Sequence, residues 1–162
     1  MKKLLLLLLL LTSCVPKQDL EIYFCPHDDC QREVLEELVK AKESIHFMIY
    51  SFTDEEIAAM LIEKNKKIIV EGIIERQRIT SKFNVFRILN DSGVDVMPDN
   101  NKATMHNKIF IIDQKTVITG SYNPTANGKD NNNENVVIIH DENIAKKFVE
   151  EYFLIKNYPP GS

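Results

Sequence analysis

The sequence predicts an α/β domain, a mixed, largely parallel β-sheet flanked by helices on both faces. Three observations carry this reading. Apolar runs of strand length alternate with helical patterns up to about residue 97, which requires crossover connections and hence parallel strands covered on both sides. After residue 105, three apolar runs follow one another with no helical pattern between them. The 162 residues suffice for one hydrophobic core and not for two.

The elements follow in order. "LEIYF" (20–24) is β-branched and aromatic, hence a strand. Asp28 or Asp29 can cap a helix reaching about Ser44, with Val34, Leu35, Leu38 and Val39 as its apolar stripe. "IHFMIYSF" (45–52) is a nearly continuous apolar strand, and Thr53 with Glu56 forms a capping box for the next helix. "KKIIVEGIIE" (66–75) is a strand. Ile79 to Ser92 carries Phe83, Phe86 and Leu89 at helical spacing and stops at Gly93. "VDVM" (94–97) is a short strand ended by Pro98. Three strands follow at 105–113, 116–123 and 133–140. The last helix covers about 142–157, with Ile144, Phe148, Tyr152 and Ile155 on one face. "NPTANGKDNNN" (123–133) is a polar loop of the length that in compact domains is often functional.

Residues 1–13 stand apart. Two lysines, a leucine run and Thr12-Ser13 have the layout of a secretory signal peptide, and the run is too short to span a bilayer, which takes about 20 apolar residues. Leu11-Thr12-Ser13-Cys14 resembles the lipobox of bacterial-type lipoproteins. This implies lipidation at Cys14, a tether over 14–19, and a domain over 20–158 that is exported and membrane-anchored, facing the periplasm or cell surface. An uncleaved short anchor is the alternative. Without Lys2 and Lys3, 18 basic and 24 acidic residues remain, a net charge of −6. That excludes a broad field for polyanions and leaves only a local basic patch. Cys25 and Cys30 in "CPHDDC" read as a disulfide in an exported chain; free thiols, or a metal site helped by His27, are the other readings.

The chemistry concentrates in "MHNKIFIIDQKTVITGSYNPTAN" (105–127). A two-residue turn at Gln114-Lys115 would set Asp113 against Thr116, Lys108 against Ser121 and His106 against Asn123. His106, Lys108, Ser121 and Asn123 would then project to one face of the sheet. The next strand brings Glu134 within reach of His106, where a carboxylate fixes the imidazole tautomer. Asp113 lies five strand steps from Lys108, roughly 16 Å at about 3.3 Å per step, and is read as structural, closing the turn. An imidazole can act as nucleophile or proton carrier, while lysine, asparagine and serine offer donors to anionic oxygens. The set suits phosphoryl transfer. No Asp/Glu/His cluster has metal-ligand spacing along the chain.

"HNKIFIIDQKTVITGSYN" matches in full the HxK(x)4D(x)6GSxN signature of the phospholipase D superfamily, which also contains Gly120. With "IYFCP", "IYSFT" and Glu134, the resemblance covers about residues 20–157 and is to the short, single-motif, endonuclease-like branch, with the phospholipase D/nuclease-like fold. It implies a homodimer in which each chain donates one HxK to a shared site. His106 would form a phosphohistidine, and the second chain's His106 would protonate the leaving group and activate water. Lys108 and Asn123 would bind the nonbridging oxygens, Ser121 would support them and Glu134 would orient the histidine; no metal or cofactor is implied. The chain departs from the branch in having Pro124 where an aromatic, typically Trp, is common. Arg76, Arg78, Lys82, Lys102 and Lys129 are candidates to contact a nucleic-acid substrate, DNA or RNA. The alternatives are a phospholipase or cardiolipin-type hydrolase, and a noncatalytic nucleic-acid-binding surface protein.

Overall fold

The computed structural model describes residues 19–159 and 161. Cys14, the signal peptide and most of the tether lie outside them.

Seven strands form one sheet: β1 (Asp19–Cys25), β2 (Ser44–Ile49), β3 (Ile69–Ile74), β4 (Asp95–Pro98), β5 (Lys108–Ile112), β6 (Thr116–Gly120) and β7 (Glu134–His140). Their order is β1-β7-β6-β5-β2-β3-β4. The sheet is mixed: β2–β3 and β3–β4 pair parallel, while the other four pairings are antiparallel. "Largely parallel" therefore holds for direction and not for pairing. β5 and β7 run against the other five strands and are interleaved among them, so antiparallel ladders outnumber parallel ones.

Helices cover both faces. On one, α1 (Cys30–Lys40), α2 (Glu55–Asn65) and α3 (Phe86–Asp91) pack Val34, Leu38, Ile57, Leu61 and Leu89 against Ile45, Phe47, Ile74 and Phe110 of the sheet. On the other, α5 (Glu142–Lys156) packs Ala145, Tyr152 and Ile155 against Met48, Ile73, Ile111 and Val117. A fifth, short helix, α4 (Ala126–Asp130), interrupts the polar loop. β2 is buried along its whole length, as a central strand covered on both sides must be. Its Phe47 faces Gly72 of β3, and a Cβ there would lie 2.0 Å from the Phe47 ring; only glycine leaves room for the aromatic to cross the strand.

Several boundaries differ from the sequence reading. Asp29 caps α1 by accepting from Arg32 N–H, and the helix ends at Lys40. The cap of α2 is Asp54, whose carboxylate accepts from the amides of Glu56 and Ile57; it replaces the expected Thr53 box because a carboxylate is the stronger acceptor at a helix start. Helix 79–92 shrinks to α3, and Phe83, expected in its apolar stripe, is 73% exposed. Cys25 and Cys30 are joined as a disulfide with a Cα–Cα separation of 5.8 Å.

The hairpin also turns differently. Asp113 and Gln114, and not Gln114-Lys115, are its centre; both have positive φ, and Lys115 N–H donates to the Ile112 carbonyl. Ile112 pairs with Thr116 and Ile109 with Thr119. The expected register is thus off by one, and Lys108 is level with Gly120. A bulge then intervenes: the amides of Ser121 and Tyr122 both donate to Asn135 O. The bulge sets one extra residue against β7, and beyond Gly120 the chain leaves the ladder, so Asn123 is placed by its bond to the Ser51 amide and not by strand register. Gly120 makes the bulge possible, since its φ is +152° and a Cβ would lie 2.1 Å from Asn135 O.

Candidate active site

Five strand ends meet at one edge of the sheet: the carboxyl ends of β2, β3 and β6 and the amino ends of β5 and β7. His106 is exposed just before β5. The segment holding it is fixed by two backbone bonds. Met105 N–H donates to Glu75 Oε2 at 2.7 Å, and Tyr50 N–H donates to Asn107 O at 2.8 Å. Glu75 is 2% exposed and its other oxygen takes the Gln77 amide. The carboxylate thus clamps the entry to His106, a role that no local pattern around Glu75 announced.

Lys108 Nζ lies 3.1 Å from His106 Nδ1 and donates to the His106 carbonyl at 2.7 Å. Burial lowers the lysine's pKa from its ordinary value, and the charge of Glu134 opposes that shift. With Lys108 protonated, Nδ1 must be the acceptor, which leaves the imidazole proton on Nε2. A nucleophilic Nε2 therefore requires Nδ1 to pass to an acceptor. Glu134 has the right chemistry, but it receives Asn132 Nδ2 at 3.0 Å and, among the described residues, no hydrogen bond joins it to His106. The expected contact is replaced by one to Lys108, because the ammonium sits closer to the ring.

Asn123 accepts from Ser51 N–H through Oδ1 at 3.1 Å. That bond assigns the amide orientation and leaves both Nδ2 protons as donors. Ser121 behaves differently: it is exposed, and its hydroxyl accepts the Asn135 amide at 3.0 Å. Its hydroxyl thus secures the bulge, where the expected register set it opposite Lys108. Pro124 contributes its carbonyl, which accepts the amides of both Thr53 and Asp54. The residue that departs from the family pattern ties the loop to the start of α2.

Tyr50 is the centre that sequence reasoning missed. Its ring lies 4.4 Å from the His106 ring, with Lys108 Nζ at 4.9 Å and the Arg78 guanidinium at 4.5 Å; Arg78 also hydrogen-bonds the Tyr50 hydroxyl. The only signal was its place at the end of an apolar strand, inside "IYSFT". The other cations divide. Arg78 joins the site. Arg76 is held by Asp99 O and Asn100 Oδ1, and Lys129 by Gln31 Oε1 at 2.5 Å, so both serve the chain itself. Lys102 is exposed on the loop before His106, and Lys82 lies near Phe83.

Asp113 stands at the far end of the hairpin. Its carboxylate accepts the amides of Lys42, Glu43 and Ser44 at 2.7–3.1 Å. It clasps the start of β2, where the sequence pointed to its own turn. Glu21, Glu37 and His140 also gather there, with ligand-capable atoms within 4.8 Å of one another, a grouping that no spacing along the chain revealed. Tyr23, Lys40 and Thr116 respectively bond these three, and they lie at the opposite sheet edge from His106.

Residues 34–154 match the family described as cardiolipin synthase, phospholipase D-like domain. The phospholipase D of Rickettsia typhi is 32% identical over 138 residues, which cover 85% of this chain and 68% of that protein. The mitochondrial cardiolipin hydrolase of Canis lupus familiaris is 29% identical over 129 residues, 78% of this chain but 51% of that protein, so the chain spans about half its length. Among solved structures, the phospholipase D family member Nuc from Salmonella typhimurium superposes with a TM-score of 0.82 at 29% identity, covering 87% of this chain and 95% of that one.

Proposed function

The chain belongs to the phospholipase D-like family, and we propose that within it the protein is a metal-independent endonuclease that hydrolyses DNA or RNA at a site shared by two copies. The observation that carries this reading is the gathering of His106, Lys108 and Arg78 around the Tyr50 ring, with Asn123 bonded to the adjacent Ser51 amide. Imidazole, ammonium and amide donors suit an anion with a single negative charge, as a phosphodiester is. The shared site rests on the resemblance to the single-motif branch, in which a second copy supplies the second HxK, and is supported by there being one HxK in this chain.

In the proposed reaction His106 Nε2 bonds to phosphorus as the P–O bond to the leaving alcohol breaks, and the second copy's His106 gives that oxygen its proton. Water then yields a proton to the same imidazole, attacks phosphorus and breaks the N–P bond. Lys108 and Asn123 Nδ2 hold the nonbridging oxygens throughout, and Glu134 takes the Nδ1 proton contact once Lys108 turns to phosphate. Lipidation at Cys14 would hold the enzyme on the extracytoplasmic side of a membrane, which mass measurement of the mature N-terminus tests.

Lipid hydrolysis is the second reading, favoured by the names of the Rickettsia and mitochondrial relatives. Against it stands the polar loop over 123–133, which offers no surface for acyl chains. The test is cleavage of single-stranded DNA, duplex DNA, RNA and cardiolipin in EDTA, beside His106→Asn. Nucleic-acid cleavage that survives chelation and vanishes in the variant supports the proposal. Turnover of cardiolipin alone replaces it with the lipid reading, and binding without turnover on any substrate would leave a nucleic-acid-binding protein. In mixtures of wild type and His106→Asn, activity strictly proportional to wild-type content would remove the shared site.

A further inference from the structure

Phe83 is the most exposed large apolar side chain among the described residues. It forms one wall of a groove of about 460 Å³, whose other walls include Ser51, Glu55, Ser81, Thr125 and Asn127. The groove opens directly beside the site. Ser51 bonds Asn123 through its amide, and Thr125 is two residues beyond Asn123. Aside from Phe83 and Ala126, the lining is polar: a carboxylate, an amide and hydroxyls present acceptors and donors around one aromatic face. Glu55 makes the interior unsuitable for a phosphate, while Lys82, with Nζ 5.7 Å from the Phe83 ring, is not part of the lining.

Resting on the nuclease reading above, we infer that this groove is a nucleobase subsite in which the base next to the scissile phosphate stacks on Phe83, so that the enzyme cuts single strands in preference to duplex. A base within a duplex has both faces stacked and its polar edge paired, so only an unpaired base can offer these surfaces to a protein. An aromatic platform along a single strand is sequence-tolerant, because every base has a π-face. Asn127 and Glu55 reach the base's edge; Asn123 and Lys108 hold its phosphate. The groove's volume falls within the roughly 300–1,000 Å³ usual for small-ligand sites.

The full-length protein, Phe83→Ala and Phe83→Trp are compared on an oligothymidylate, on the same backbone built of abasic units, and on a duplex. Phe83→Ala is expected to lower kcat/KM on oligothymidylate roughly 10-fold, Phe83→Trp to restore it, and neither to alter cleavage of the abasic strand. Wild type should prefer the single strand. Equal losses on base-bearing and abasic strands, no loss on either, a preference for duplex, or dissociation of the dimer by Phe83→Ala would each overturn the inference while leaving the nuclease standing. No cleavage of any nucleic acid by wild type would remove the nuclease reading and this inference with it.

Discussion

The two ends of the β5–β6 hairpin carry charged groups used in opposite ways. At the turn, Asp113 spends its carboxylate on three successive backbone amides that lead into β2, so its hydrogen-bonding capacity is largely consumed by the chain. At the other end, Asn123 gives up one acceptor to Ser51 and keeps its donors, while Lys108 is partly desolvated and, among the described residues, forms no ion pair. A charge that holds a fold finds its partners within the fold. A group that acts on a substrate is fixed through one atom and left with others to offer.

The largest expected effect sharpens this contrast. His106→Asn should lower kcat by at least about 10³-fold with thermal stability nearly unchanged, since the ring is exposed and rests beside Lys108 and Tyr50. Asn123→Ala should lower kcat/KM by about 10²- to 10³-fold and cost about 1 kcal/mol, the worth of one hydrogen bond to Ser51. Urea unfolding beside steady-state kinetics reads both quantities. Asp113→Ala should invert the pattern, costing about 3 kcal/mol through the loss of charge-assisted bonds while turnover per folded molecule is kept. A turnover loss in Asp113→Ala matching that of Asn123→Ala would erase the distinction between the ends.

The smallest effects are those of pH. Burial alone would raise the pKa of Asp113, but the amides of Ser44, Glu43 and Lys42 outweigh it and the carboxyl titrates below its ordinary 3.8. Its stabilisation is present above pH 3.8 and lost as pH falls through the lower folded value, so acid unfolding of Asp113→Asn should lack that component. Lys108 shifts in the sense that disfavours its charge, because burial lowers its pKa below 10.5. Phosphate binding should fail as pH rises through that depressed value, seen as a rising KM, and Lys108→Arg should move the limb to higher pH.

The alternation of strands and helices was legible because nearly continuous apolar runs such as 45–49 suit a covered strand. His106, Lys108 and Asn123 were legible because polar side chains at the end of such runs need partners or substrate. The register between them was not. Two residues with positive φ at the turn shift the ladder by one, and a bulge after Gly120 ends it; neither is encoded by periodicity, and Asn123 reaches the site through its bond to Ser51 and not through a strand pairing. Ser121, inside the bulge, was misplaced for the same reason. Tyr50 and Glu75 escaped because their partners are far along the chain: Glu75 holds an amide 30 residues on. Phe83 was misplaced because spacing reports which residues could share a helical face, whereas the turns over residues 76–82 stop a helix from forming there.

One consequence of the strand order concerns time. β1 is the first strand synthesised and β7 the last, yet they are neighbours, with Asp19 opposite His140 and Cys25 opposite Glu134. Contacts about 110 to 120 residues apart are the slowest to close, and at about 5–20 residues per second the ribosome needs roughly 5–25 s to supply the second strand after the first. Throughout that interval Leu20, Ile22 and Phe24, which stay exposed even in the finished protein, belong to a strand with no ladder. The opening segment is thus born early and docked late.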